Sequence, residues 1–113
     1  MTVQELIDAL SLTTFHLDDP DRPVEGGYCG DLLSWVMGRA PTGGAWLTIM
    51  SNVNVAAVAA LTDVACVILA EGVVPDPPLL ERVKTQGITL LGTQLSVFDC
   101  TCRLGALGVG TGA

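Results

Sequence analysis

The chain has 113 residues, of which half are hydrophobic and only 15% are charged. Its 12 acidic and 5 basic residues give a net charge of −7 at pH 7. This length accommodates one domain, and the high hydrophobic content excludes a disordered chain. The acidic balance excludes a general nucleic-acid binder, because a surface that follows phosphates must be basic.

The N-terminal third predicts a helix, a strand and a second helix. Residues 3–10 are amphipathic and follow Thr2, which forms a capping box with Glu5. Residues 12–17 alternate and favour a strand. Residues 18–23 form a turn rich in Asp and Pro, and residues 24–28 are extended. Asp31 is then expected to cap, or to lie in the first turn of, a helix that continues to Ala40.

Residues 45–107 repeat a strand followed by a helix three times. Strands are predicted over 45–50, 65–70 and 88–91, and helices over 55–61, 76–87 and 97–107. This order is typical of a parallel sheet with right-handed crossovers. We predict a single α/β domain over residues 1–107, with a largely parallel sheet of about four or five strands and helices on both faces. Residues 108–113 are expected to form a flexible, Gly-rich tail.

The helix near residues 53–62 is nearly uncharged and rich in Ala and Val. Such a helix lies either in the core or against another subunit, because Ala lets a second helix approach closely. We expect a homo-oligomer, most simply a dimer, on this basis.

No segment predicts a membrane span or a signal peptide. The longest apolar runs, residues 53–61 and 64–70, are shorter than the roughly 18 residues that a spanning helix needs. No basic region precedes an apolar run at the N-terminus. Cysteines in a chain without secretory marks favour a reduced, cytoplasmic location.

The polar residues that follow the predicted strands indicate a binding site. Ligands of open parallel sheets bind beyond the carboxyl ends of the strands, and helix N-termini there favour anions. The loop that leads into Asp31 is expected to close the same edge. We predict a site for a nucleotide or a small anionic metabolite, formed by Gly26, Gly27, Tyr28, Asp31, Asn52, Asn54 and Thr93. The alternative is that Asn52, Asp76 and Thr93 only cap their helices.

Catalytic and metal motifs are not recognisable in the sequence. The pair Gly26-Gly27 has neither the Lys-Ser/Thr of a P-loop nor the third glycine of a dinucleotide fingerprint. His16 is the only histidine, and no nucleophile can be assigned to it. One residue separates Cys100 from Cys102, unlike a zinc or redox Cys-x-x-Cys motif. We therefore expect no enzymatic activity, no metal site and no cofactor.

The segment DRPVEGGYCGDLLS, residues 21–34, resembles the DRTGG domain family. The resemblance continues through residues 46–48, 52–61, Asp63, 72–75 and 88–93. Three residues separate Arg22 from the two glycines, where the family motif has a single threonine. The resemblance implies an α/β fold similar to the N-terminal domain of HPr kinase/phosphorylase.

This resemblance also implies a regulatory or ligand-sensing role. Stand-alone members of the family are similar to small proteins encoded near iron-only hydrogenase and NADH-oxidising subunits. Our first hypothesis is a non-catalytic regulatory module that binds a nucleotide or a small anionic metabolite. The alternative is a structural or partner-binding accessory subunit of a hydrogenase or NADH-linked redox complex, with no small ligand.

Overall fold

The predicted alternation of strands and helices is present in the computed structural model, which describes residues 1–109. In chain order the elements are α1 (Val3–Leu10), β1 (Thr13–His16), β2 (Gly27–Cys29), α2 (Leu33–Arg39), β3 (Ala45–Thr48), α3 (Asn54–Thr62), β4 (Cys66–Leu69), α4 (Pro77–Gln86), β5 (Leu90–Gly92) and α5 (Val97–Ala106). The capping box predicted at Thr2 and Glu5 is confirmed.

The strands form one sheet in the order β1-β5-β4-β3-β2. Strands β2 to β5 pair in parallel, and β1 pairs antiparallel with β5 at one edge. The largely parallel sheet predicted from the sequence is therefore confirmed. The N-terminal strand completes it from the side opposite to β2.

Helices cover both faces of the sheet. The chain moves from β2 to β5 in one direction across the sheet, and right-handed crossovers therefore place α2, α3 and α4 on a single face. Helices α1 and α5 cover the other face. The α2/α3/α4 core contains Trp46, Val67, Leu69 and Leu90 from the strands, and the α1/α5 core contains Ala45, Leu47, Cys66, Ile68 and Leu91.

Helix α3 is buried by its own chain. Val55, Ala56, Val58 and Ala59 are buried, and α3 packs between α2 and α4. The apolar composition that suggested a subunit contact is thus explained by the core. The homo-oligomer stays a prediction, and α3 no longer favours it.

Helix α2 begins at Leu33, later than predicted, and Asp31 does not cap it. Instead, Asp31 Oδ1 accepts hydrogen bonds from the Thr48 hydroxyl at 2.7 Å and from the Ile49 N–H at 3.0 Å. Both donors come from the end of β3, seventeen and eighteen residues further along the chain. The residues next to Asp31 in the sequence are typical of a helix start, so they predicted a cap. They carry no information about the distant donors that Asp31 bonds instead.

The packed part of the chain extends further toward the C-terminus than predicted. Helix α5 ends at Ala106, and Gly108 adopts a φ of +87°, which suits a glycine after a helix. Val109 is then buried in the α1/α5 core, contrary to the flexible tail expected from residue 108. Residues 110–113 lie outside the described part, and the tail stays a prediction there.

Candidate functional site

The structure divides the predicted site residues between opposite edges of the sheet. Asp31, Asn52, Asn54 and Thr93 follow the carboxyl ends of β2, β3 and β5. Gly26 and Gly27 lie at the amino end of β2, and the Gly26 carbonyl accepts a hydrogen bond from the Ala45 N–H at 2.8 Å. Tyr28 lies within β2 and packs against the α2/α3/α4 core. Placing the two glycines at the carboxyl edge was therefore wrong, because Gly26 precedes β2 and Gly27 is its first residue.

Packing, rather than unusual backbone geometry, explains the first glycine of this pair. Neither Gly26 nor Gly27 has a positive φ. A Cβ atom on Gly26 would lie 3.3 Å from Pro41 Cγ, which is tighter than an ordinary contact. Gly26 therefore lets the loop before β3 pack closely against the start of β2.

At the ends of β2 and β3, the polar groups bond to one another and to their own loops. The Asn54 N–H donates to Asn52 Oδ1 at 2.9 Å. The Ser51 hydroxyl donates to Asp76 Oδ1 at 3.0 Å, so this carboxylate holds two loops together. Such bonds stabilise turns. The alternative that Asn52, Asp76 and Thr93 cap their helices is wrong: Val53 and Ser96 occupy the N-cap positions of α3 and α5, and the Asp76 side chain accepts no hydrogen bond from the backbone of α4.

The ends of β4 and β5 form the point at which the chain changes faces. Helix α4 leaves β4 toward one face and α5 leaves β5 toward the other, and such a point opens a crevice in many α/β sheets. In this protein, hydrogen bonds between the loops that follow β4 and β5 bridge the crevice. The Glu71 N–H donates to the Leu95 carbonyl at 2.8 Å, and the Gly72 N–H donates to the Thr93 carbonyl at 2.9 Å. Glu71 Oε2 also accepts from the Val97 N–H at 3.2 Å.

A cavity with both polar and apolar walls lies at the β1/β5 end of this edge, and we call it the polar cavity after its residues with hydroxyl, amide and guanidinium groups. Its volume is about 380 Å³, and it is lined by Ala9, Leu10, Ser11, Thr13, Thr93, Gln94, Leu95 and Arg103. Thr13 pairs with Gly92, so β1 places its hydroxyl beside the end of β5. The lining supplies three hydroxyls, an amide and one guanidinium, which are the groups that bind phosphates and carboxylates.

A second cavity of about 250 Å³ adjoins the first. The two share Thr13, Thr93 and Gln94, whereas Phe15 and Val73 contribute apolar walls to the second. A Cβ atom on Gly92 would lie 2.6 Å from the Phe15 ring. Gly92 therefore lets this ring lie directly over the end of β5.

Charge distinguishes the two ends of the carboxyl edge. The carboxylates of Asp31, Glu71 and Asp76 follow β2 and β4 and engage backbone or hydroxyl donors. Arg103, by contrast, is among the residues that line the cavity beside β5. Because like charges repel and an anion gains from a cation within a few ångströms, an anionic ligand is favoured beside Arg103.

Of the predicted site residues, only Thr93 lines this polar cavity; Ser11, Thr13 and Arg103 were not predicted. Arg103 belongs to the last turn of α5, and Ser11 follows α1 with a φ of +51°. The sequence holds one signal for them, namely the cluster of hydroxyl residues at positions 11, 13 and 14. Nothing local indicates that this cluster meets α5.

Other chemistry-bearing side chains have structural environments. The His16 Nδ1–H donates to the Ile88 carbonyl at 2.8 Å, so its ring helps to hold β1 against the segment before β5. Burial raises the pKa of Cys66 to about 12 and that of Cys100 to about 11. Within residues 1–109, no three His, Cys, Asp or Glu side chains cluster as metal ligands.

No helix in the described part of the chain combines the length and the apolar character that a membrane crossing requires.

Comparisons with known proteins show the fold. No protein-family model matches the chain, and no curated protein matches it. Among solved structures, the chain is similar to the CBS and DRTGG domains of the regulatory region of Clostridium perfringens pyrophosphatase, which were crystallised with the activator diadenosine tetraphosphate. The TM-score is 0.74 at 15% identity, over 91% of this chain and 45% of that chain.

The chain thus spans less than half of the regulatory region that it matches. At this identity the likeness establishes that the chain shares its α/β architecture with part of this CBS and DRTGG region.

Proposed function

We propose that this protein is a non-catalytic regulatory module that binds a small anionic, nucleotide-like ligand at the carboxyl edge of its sheet. The observation that carries the proposal is the polar cavity, whose lining includes Arg103 together with the hydroxyl-bearing residues Ser11, Thr13 and Thr93. A guanidinium binds phosphate oxygens through paired N–H donors, and hydroxyls add further bonds.

The adjoining cavity supports a nucleotide-like ligand in particular. A phosphate beside Arg103 leaves the rest of such a ligand within reach of the apolar walls that Phe15 and Val73 provide. Aromatic and aliphatic side chains are the usual neighbours of a flat base. The two volumes, about 380 and 250 Å³, are together in the range of small-molecule sites.

The architecture supports a regulatory role. The structure that this fold resembles is a regulatory region in complex with a nucleotide activator. In the present chain a ligand in the cavity would contact α1, β1, the loop after β5 and α5 at once. A ligand that binds one arrangement of these elements better than another shifts their equilibrium, which is how a module without catalysis transmits a signal.

Calorimetric titration with adenine nucleotides, including diadenosine tetraphosphate, and with acyl phosphates tests the proposal. Arg103→Ala should weaken binding by about 10-fold to 100-fold, because it removes charge-assisted hydrogen bonds worth about 1.5–3 kcal/mol. The matched control is Arg82→Ala, which removes an exposed arginine from α4. It should leave the affinity unchanged.

Equal weakening by Arg103→Ala and Arg82→Ala would contradict a local site, because only a general charge effect would then remain. Binding that depends on Asp31 and Asn52 instead would return the ligand to the opposite end of the carboxyl edge.

Exposed apolar side chains favour a second candidate, an accessory subunit that binds a partner protein. Leu32, Trp35 and Met37, at the start of α2 and within it, are 57%, 52% and 50% exposed. Large apolar side chains that share one short segment are typical of interaction surfaces. The partner class that the family resemblance implies is a subunit of a hydrogenase or NADH-linked redox complex, and a second copy of this chain is the other candidate partner.

Light scattering tests the second-copy form of this candidate. A dimer should give twice the 11.7 kDa of one chain. Trp35→Glu should then restore the monomer mass, whereas Leu61→Glu, which changes an exposed residue of α3, should not. A monomer at tens of micromolar would contradict the dimer.

A further inference from the structure

A third cavity, of different chemistry, lies on the α1/α5 face of the sheet. It occupies about 480 Å³ between β2, β3 and α5. The row Gly27, Ala45 and Cys66 runs across β2, β3 and β4 in register beneath this part of the face. Small side chains in adjacent strands leave the space open, and we call it the β2/α5 cavity.

The helix wall of the β2/α5 cavity comes from one side of α5. Thr101, Leu104 and Gly105 line it, at the i, i+3 and i+4 spacing that places residues on one helical face. Val109 also lines the cavity. None of the described lining residues carries a charged side chain. A charged ligand would therefore lose its hydration without gaining a counter-charge.

At two positions of the lining, the backbone conformation does not require a glycine. Neither Gly27 nor Gly105 has a positive φ. A Cβ atom on Gly105 would meet nothing within 4 Å, and one on Gly27 would make an ordinary contact of 3.4 Å with the Ala45 carbonyl oxygen. Glycine inside a helix costs about 1 kcal/mol relative to alanine, and glycine inside a strand also weakens it. What both glycines provide in this fold is room beside the cavity.

One polar pair lies at the side of the cavity. Cys29 Sγ lies 3.2 Å from Thr101 Oγ1. The Thr101 hydroxyl donates its proton to the Val97 carbonyl at 2.7 Å, so the thiol donates to Thr101. The sulfur of Cys29 is exposed and is left as a weak acceptor. The pair therefore offers a ligand one weak polar contact within an otherwise apolar lining.

We propose that the β2/α5 cavity binds a small, uncharged and largely apolar molecule. This site is separate from the polar cavity of the proposed function, because the two share no lining residue. The volume matches small-ligand sites, and the neutral walls select against the phosphate-bearing ligand that Arg103 favours.

Nile red, an uncharged fluorescent dye, is the probe for this site. Titration of the protein should show one saturable site whose fluorescence rises on binding. Gly105→Leu fills the cavity while favouring the helix, and it should weaken dye binding at least tenfold. The control is Gly38→Leu in α2, where a Cβ atom also meets nothing within 4 Å. It should leave dye binding unchanged.

Alkylation by iodoacetamide gives a second readout. Cys29 lines the cavity, whereas Cys102 is exposed elsewhere on α5. Bound dye should slow alkylation of Cys29 several-fold, as measured by peptide mass spectrometry, and leave Cys102 unaffected. Gly105→Leu should retain nucleotide binding at the polar cavity, so failure of one site is distinguishable from failure of the other.

Three results would overturn the proposal. The first is no saturable dye binding by the wild-type protein. The second is equal dye affinity in Gly105→Leu and wild type, or equal protection of Cys29 and Cys102. The third is a dimer that Gly105→Leu dissociates, because a second copy would then be the occupant of the cavity.

Discussion

The buried thiol of Cys66 shows how the fold alters single-residue chemistry. Its side chain lies in β4 beneath the α1/α5 core, and burial raises its pKa from 9.0 to about 12. Above about pH 9 the unfolded chain loses this proton while the folded chain keeps it. The unfolded state then binds fewer protons, so stability falls as pH rises, by up to about 1.4 kcal/mol per pH unit for one thiol.

Urea unfolding at about pH 8, 9 and 10 measures this dependence. Cys66→Ala should lower the stability at every pH but make its decline above pH 9 shallower, because one titrating group is removed. Cys102→Ala removes an exposed thiol and should leave the decline unchanged. An identical decline in wild type and Cys66→Ala would show that burial of Cys66 does not raise its pKa.

Gly87 ends α4 with a φ of +65°, in the left-handed region that glycine tolerates best. Gly87→Ala should destabilise the protein by about 1 kcal/mol. A Cβ atom there would also lie 3.1 Å from Asp18 Oδ1. Gly38→Ala changes a helical glycine in open space and should stabilise by up to about 1 kcal/mol. Thermal unfolding of the two variants should therefore give shifts of opposite sign.

At the scale of elements, α3 gives the clearest test of the packing. Ala56 is buried, whereas Ala57 is exposed on the same helix. Ala56→Leu should cost about 1–3 kcal/mol, because a packed core has no room for three additional carbon atoms. Ala57→Leu should change the stability by less than about 0.5 kcal/mol. Chemical denaturation measures both, and equal costs would contradict the placement of α3 between α2 and α4.

The elements themselves were largely predictable from the sequence. The capping box at Thr2, the prolines at the start of α4 and the continuous apolar run of β4 each have a local physical cause. The start of α2 was not predictable. Its nearest acidic residue, Asp31, bonds instead to Thr48 and Ile49, which become neighbours only after β2 and β3 have paired.

For the molecule as a whole, the sequence predicted which edge of the sheet carries the candidate site, but it predicted few of the residues that form the site. Thr93 was expected at the carboxyl edge and lies there. Arg103 and Thr13 join it because β1 returns antiparallel to β5 and α5 crosses to the face of α1. That arrangement is non-local, and no motif in a single chain encodes it.

A thermal-shift measurement with nucleotides and acyl phosphates tests the ligand-sensing role most directly. A ligand present at about 100 times its dissociation constant adds about 2.7 kcal/mol of stability. For a domain of this size, that should raise the melting temperature by on the order of 10 °C. We predict such a rise for wild type and for Arg82→Ala, and its loss in Arg103→Ala. No shift with any of these compounds at millimolar concentration, or an equal shift in Arg103→Ala, would contradict the proposed function.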